Sequence, residues 1–269
     1  MNNFAEEQKL QQQYYNLSKS NILDISSRLP DKKFYEFMYH AWFSNNLENV
    51  AEFYSTWKPW DEWDYPIHDL VRFKKVIIDN ELHIKDKNVF DIGSHLGYMT
   101  LFCLNLKCKH VVGLEPRENK LELSNFICKE AGFKNFNFVR GSTHEKKLME
   151  YAGQVDTVIL SALVYHIADH FNLLEKITNS SAKCLIIENK EKNNIAFDIR
   201  PQVCWETEAS DQVGAWHSDK KEFLVGTPNQ PFLNSIMFEL GWKLEKNEYF
   251  HVNTHLKDKR LMSTSIYTR

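Results

Sequence analysis

The sequence has no apolar run approaching the ~20 residues that a membrane-crossing helix requires, so no such helix is expected among its 269 residues. Its first residues, MNNFAEEQKLQQQ, carry neither a basic n-region nor an apolar h-region, and no secretory leader is expected. Five cysteines (Cys103, Cys108, Cys128, Cys184 and Cys204) form no C-x-x-C pair and no Cys/His zinc spacing. Most of them read as small buried hydrophobes of a reducing compartment. No long basic run is present and the net charge is -3, which argues against a nucleic-acid footprint, although folding can gather dispersed lysines on one face. Internal repeats and low-complexity linkers are also missing. These absences lead to the expectation of a cytoplasmic protein with no membrane partner and no metal.

What is present is an ordinary globular composition, 43% hydrophobic and 26% charged, with aromatics somewhat rich at 13%. Residues 1–80 read as a helical extension. Phe34, Phe37, Met38, Ala41 and Trp42 follow a helical apolar stripe, and a third helix is predicted from near Pro66 with Leu70, Val71, Phe73 and Ile77 inward. Four of the seven tryptophans precede residue 64, three of them in Trp57-Lys58-Pro59-Trp60-Asp61-Glu62-Trp63. That segment has too many rings, and a proline, for a regular helix; it either docks the extension onto the rest or caps a pocket.

From residue 88 the pattern alternates. Strands are predicted near 88–92, 110–115, 136–140, 155–161 and 183–188, with helices near 97–107, 117–131, 145–151 and 169–178. This is the signature of a parallel, doubly wound α/β sheet with right-handed crossovers. A helix near 230–240 stopped by Gly241 and two closing strands near 242–250 and 260–268 follow, the last two antiparallel across a short turn. Residues 190–228 break the rhythm with a polar stretch that includes Trp205, Trp216 and Phe223. An insertion after the fifth strand lies near the edge where open sheets bind ligands, so it reads as a lid, the alternative being a surface decoration.

The first strand runs Val89-Phe90-Asp91-Ile92 into Gly93-Ser94-His95-Leu96-Gly97-Tyr98, and the second ends in Glu115-Pro116. A glycine turn there lets a ligand approach the backbone, and the amphipathic helix predicted after it offers free N–H groups. A dinucleotide site wants G-x-G-x-x-G, whereas Gly93 and Gly97 have three residues between them, which disfavours NAD.

The form D-I-G-S-H-L-G-Y-M-T resembles motif I of the class I S-adenosylmethionine (SAM) methyltransferases, closest to their FkbM-type members, and the acid-proline pair Glu115-Pro116 strengthens the resemblance. Ser161-Ala162-Leu163-Val164-Tyr165-His166 resembles the L-Y-H segment of the tRNA wobble-uridine carboxymethyltransferases within that class. The resemblance covers residues 88–189 well and 229–250 loosely. It implies an α/β, doubly wound, Rossmann-like seven-stranded sheet with the last strand antiparallel, filling 81–269 behind the N-terminal extension, with SAM as cofactor. It also implies that Glu115 accepts hydrogen bonds from the ribose, that Asp91, Gly93, Ser94 and Gly97 shape the methionine side, and that Pro116, Ser142 and Ser161 belong to the cofactor site, Ser142 on the adenine side. His95 either faces solvent as a turn residue or contacts the cofactor.

Methyl transfer from a sulfonium depends on holding the acceptor in line and dry. A protonated oxygen or nitrogen acceptor needs a base, for which His166 is the candidate, with Tyr165 orienting the acceptor; otherwise His166 only caps its loop. His166 and His170 are four apart but lack a third ligand. The favoured acceptor is a small or sugar-like molecule. Modification of tRNA is second, and for a carboxymethyl donor Arg200 is a conceivable carboxylate partner. A non-catalytic partner subunit built on the same fold is the reading from outside enzymology.

Overall fold

Short apolar runs bounded by charged residues become the strands. The computed structural model describes residues 72, 75–130, 132–192, 196, 198–209, 222–253 and 259–269. β1 (Asn88–Ile92), β2 (His110–Glu115), β3 (Phe136–Arg140), β4 (Thr157–Ser161) and β5 (Cys184–Lys190) are joined by parallel pairing in the order β3-β2-β1-β4-β5. β8 (Lys243–Asn253) and β9 (Lys259–Thr268) extend the sheet to seven strands, β9 lying antiparallel between β5 and β8. The expected mixed sheet with its antiparallel end is therefore present.

β1, β4 and β5 are nearly continuous apolar runs because both faces are covered. On one face α1 (Tyr98–Asn105) and α2 (Glu118–Glu130) pack over Val89, Val111 and Ile186. On the other, α3 (His170–Thr178) and α4 (Gln230–Glu239) cover Phe90, Val112, Leu160 and Leu185. α3 and α4 start at side-chain caps, Asp169 accepting from the Asn172 N–H and Asn229 from the Phe232 N–H. α1 is not the amphipathic helix its sequence position suggests. Tyr98 through Leu104 are all buried, and the helix is enclosed on every side.

Two further elements depart from expectation. The stretch 145–151 forms only a 3-10 turn, Leu148–Tyr151, with Leu148 its one buried residue; so short a piece with a single anchor does not sustain an α-helix. The insertion at 190–228 contains a hairpin, β6 (Val203–Ala209) paired antiparallel with β7 (Glu222–Pro228), as a separate two-stranded sheet. Most of the predicted helical extension, the Trp57–Trp63 segment, Trp216 and the turn 254–258 lie outside the described residues. Of the third predicted helix, Ile77 is buried as expected, and a 3-10 stretch Ile78–His83 leads into β1.

Cys103, Cys108, Cys128 and Cys184 are buried free thiols, and burial pushes Cys108, Cys128 and Cys184 up to about 12, so they stay protonated and apolar. No helix among the described residues is long and apolar enough to cross a membrane.

Candidate functional site

Parallel register gathers the predicted residues along one edge. Asp91 lies beside Gly113, Glu115 beside Arg140, and Ser161 beside Glu188, so the loops after β1, β2, β3, β4 and β5 leave from the same side of the sheet. The strand order reverses between β1 and β4, where an open α/β sheet forms a crevice at its carboxyl edge.

The loop between β1 and α1 is held closely. The N–H groups of Gly93 and Ser94 both donate to the Leu114 carbonyl at 2.9 Å, and the Gly97 N–H donates to the Ser94 carbonyl at 2.7 Å. Gly93, His95 and Gly97 have positive φ, so the chain turns through left-handed conformations before α1. The Ser124 hydroxyl of α2 donates to the His95 carbonyl at 2.9 Å, and the His95 N–H donates to Glu115 Oε2 at 3.1 Å. The His95 imidazole is held well below its ordinary pKa by burial, then by the nearby cations Arg117, Lys120 and Arg72, and is therefore neutral.

Glu115 is 1% exposed at the end of β2. Its Oε1 accepts the Arg117 backbone N–H at 3.1 Å and the Arg117 Nε at 2.5 Å, and its Oε2 accepts Nη2 of the same guanidinium at 3.2 Å. A buried carboxylate so supplied with donors is a strong acceptor site. Pro116 fixes the exit from β2, and its carbonyl accepts Arg140 Nε at 3.2 Å. Ser142, after β3, is also buried. Its N–H donates to Glu145 Oε1 at 2.9 Å, which brings an acid beside it.

Asp91 does structural work. Its Oδ2 accepts the Thr100 N–H at 3.1 Å and the Thr100 hydroxyl at 2.7 Å, tying β1 to α1. Burial raises its pKa from 3.8 to about 6, opposed by the Thr100 bonds and assisted by the Glu115 charge. A raised folded-state pKa means that its stabilising contribution is complete below about 4 and is lost as pH rises through about 6. Asp91→Asn keeps an acceptor oxygen without the charge. In urea unfolding, the stability of this variant relative to wild type is expected to rise between pH 4 and pH 7, by up to about 3 kcal/mol. A relative stability flat across that range would contradict a buried, reluctantly ionised Asp91.

At the other lip, Ser161 is tied to an ion pair that sequence reading missed. Its hydroxyl donates to Glu188 Oε2 at 2.5 Å, and Arg72 donates to Glu188 through Nε at 2.6 Å and Nη2 at 2.7 Å. The signal for Glu188 was present as a lone acid in the otherwise apolar Cys184-Leu185-Ile186-Ile187 run. Tyr165 and His166 fall on a 3-10 turn, Val164–His166, immediately past β4. Tyr165 is buried, which pushes its phenol up to about 12, and Lys190 Nζ lies 5.8 Å from its ring centroid. His166 Nδ1 pairs with Glu208 of β6. His170 instead lies inward, its Nε2 placed 3.0 Å from the Val164 carbonyl and 2.9 Å from the Gly226 carbonyl. Arg200 is exposed and occupied by Asp198, with Nη2 at 2.6 Å from Oδ2. Among the described residues no cluster of three His, Cys, Asp or Glu is placed to hold a metal ion.

No family model matches the chain. The chain is 30% identical over 118 residues to the protein arginine N-methyltransferase 1 of Oryza sativa subsp. indica, spanning 42% of this chain and 28% of that protein. It is 23% identical over 142 residues to the tRNA U34 carboxymethyltransferase of Nautilia profundicola, spanning 49% of this chain and 45% of that protein. The chain thus spans less than half the length of these curated relatives. Among solved structures, magnesium protoporphyrin IX methyltransferase of Synechocystis PCC 6803, determined with bound SAM, superposes with a TM-score of 0.52 at 11% identity, over 82% of this chain and 92% of that one. The chain has the class I SAM-dependent methyltransferase fold, with distant similarity to the arginine and tRNA U34 enzymes.

Proposed function

We propose that this chain, which carries the class I methyltransferase fold, transfers a methyl group from SAM to an oxygen or nitrogen of a small or sugar-like acceptor. The observation that carries the reading is the meeting, at one crevice of the sheet edge, of the turn Gly93–Gly97 and the buried Glu115 carboxylate on one lip with Tyr165 and His166 on the other. The donor set fits a nucleoside sulfonium: a carboxylate for the ribose hydroxyls, a glycine turn that admits the ligand to the backbone, and Ser142 with Glu145 on the adenine side. Ribose hydroxyls would take Glu115 oxygens that Arg117 now holds, so Arg117 must shift or share them.

Bound SAM supplies an electrophilic methyl carbon. The chain's part is to hold the acceptor in line, exclude water and receive its proton. His166 is the proton acceptor in this reading, Tyr165 forms the wall beside it, and the hairpin of the 190–228 insertion is the lid. The -3 net charge, with no long basic run in the sequence, favours an uncharged acceptor over a polyanion. Transfer to tRNA is the second reading, favoured by the similarity to the U34 enzyme.

The test is to incubate the purified chain with methyl-labelled SAM and either a small-molecule extract or bulk tRNA. Label is expected in the small-molecule fraction; label confined to tRNA would establish the second reading instead. His166→Ala should lower the rate by about 100-fold or more. Unchanged turnover from pH 6 to pH 9 would remove His166 from the mechanism.

A further inference from the structure

The hairpin has a sided pattern. Residues two apart on a strand face the same way, so Glu206 and Glu208 of β6 share one face while Trp205 and Thr207 take the other. Both acids meet cations or cation-forming groups of the main domain. Glu206 pairs with Lys192, just after β5, at 2.8 Å, and Glu208 pairs with His166, just after β4. β7 is fixed to the same turn through its backbone, the Gly226 N–H donating to the Ile167 carbonyl at 3.1 Å and the Gly226 carbonyl lying 2.9 Å from His170 Nε2. Within the hairpin, a Cβ at Gly226 would come within 2.6 Å of Val203 Cγ1 and 2.9 Å of Trp205 Cζ3, so a larger residue would push on β6. The hairpin is thus clamped from both strands to the turn that carries Tyr165 and His166. An unanchored decoration has no need of such fastening.

We propose that Glu208 is a positioning residue, which fixes His166 in the tautomer with its proton on Nδ1 and so leaves Nε2 as the basic nitrogen. A carboxylate oxygen only accepts, so a neutral His166 paired with it through Nδ1 must carry the proton there. The inference rests on the reading of His166 as the acceptor's base. In that step the proton of the acceptor O–H or N–H passes to Nε2 while the acceptor atom bonds the methyl carbon. The electron pair of the breaking C–S bond stays on sulfur, and the new imidazolium lies against the Glu208 carboxylate. Lid and base are then one device: the insertion does not only cover the crevice but sets the proton-accepting nitrogen inside it.

Among the described residues, the charged and titratable groups around this turn include Tyr165 on the turn itself, Glu208 and Glu206 on β6, Lys190 and Glu188 on β5, Lys192 just after it, Arg260 on β9, and Arg72. A pH profile therefore mixes several groups, and the cleaner readout is the tautomer itself. In two-bond nitrogen–proton NMR of the full chain with labelled histidine, assigned with His166→Gln, wild-type His166 is expected as the Nδ1–H form. Glu208→Ala should move it toward the Nε2–H form and lower methyl transfer about 10- to 100-fold, with affinity for S-adenosylhomocysteine changed less than about twofold. An Nε2–H His166 in the wild type overturns the proposal without any variant. An unchanged tautomer in a Glu208→Ala protein that still binds S-adenosylhomocysteine overturns it too. Failure of the base reading is separable: His166→Gln would then keep full activity while the tautomer still follows Glu208.

Discussion

Replacing Arg72 with alanine is expected to lower stability by about 3–5 kcal/mol, seen as a fall in the urea midpoint with an unchanged slope. Glu188 is 0% exposed on β5, and its two carboxylate oxygens are met by Arg72 at 2.6 and 2.7 Å, with the Ser161 hydroxyl at 2.5 Å. Taking away the guanidinium leaves a buried carboxylate with one neutral donor, and that uncompensated charge sets the size of the effect. A pair replacement distinguishes this from lost packing. Arg72→Met with Glu188→Gln removes both charges and should recover most of the loss, because breaking a buried pair costs far more than replacing it. A single-variant loss below about 1 kcal/mol would show that Glu188 finds water or another partner when Arg72 is gone. The pair also matters for function. Arg72 lies within electrostatic reach of His95 on one lip and Tyr165 on the other, so the segment before β1 contributes charge to the crevice.

The second large effect is expected from Gly97→Ala. Gly97 has φ +76°, which costs a side-chain-bearing residue about 1–2 kcal/mol. A Cβ there would also come within 2.8 Å of Phe138 Cζ and 3.2 Å of Ser124 Cβ, an overpacking worth about 1–3 kcal/mol more. The expected total is about 2–5 kcal/mol. Ser124 anchors the His95 carbonyl, so a shift at Gly97 moves the loop that meets Glu115, and SAM affinity should drop at least about tenfold. Gly132→Ala is the control. Its φ is +82°, but nothing lies within 4 Å of the new Cβ, so only the backbone cost applies. Equal losses in the two variants would mean that Phe138 yields and that the loop is less tightly built than its contacts imply.

Much of the sheet could be read from sequence, for a physical reason. β1, β2 and β3 are apolar runs ended by charge or turn residues, and all three began and ended where expected. The closing antiparallel pair was legible from its short connection. β6 and β7 were not, since Trp-Glu-Thr-Glu alternates acids with exposed groups and contributes little to the main core. The 3-10 turn at Leu148–Tyr151 shows a short helical reading that lacked anchors. At the site, residues inside the motif were visible because their spacing is local. Their partners were not, because a pair such as Arg72 with Glu188 spans 116 residues and no local pattern encodes it. Glu208 left a faint trace as an acid two residues from another on a strand, and only the fold brings it to His166.

The central claim is that the crevice beside Gly93–Gly97 binds SAM through Glu115. Isothermal calorimetry with SAM on the wild-type chain and on Glu115→Ala tests it most directly. The account predicts one site per chain, weakened at least about tenfold in the variant, because each charge-assisted hydrogen bond lost is worth about 1.5–3 kcal/mol. No heat of binding to the wild type at millimolar SAM, or equal affinity in a folded Glu115→Ala protein, would contradict it.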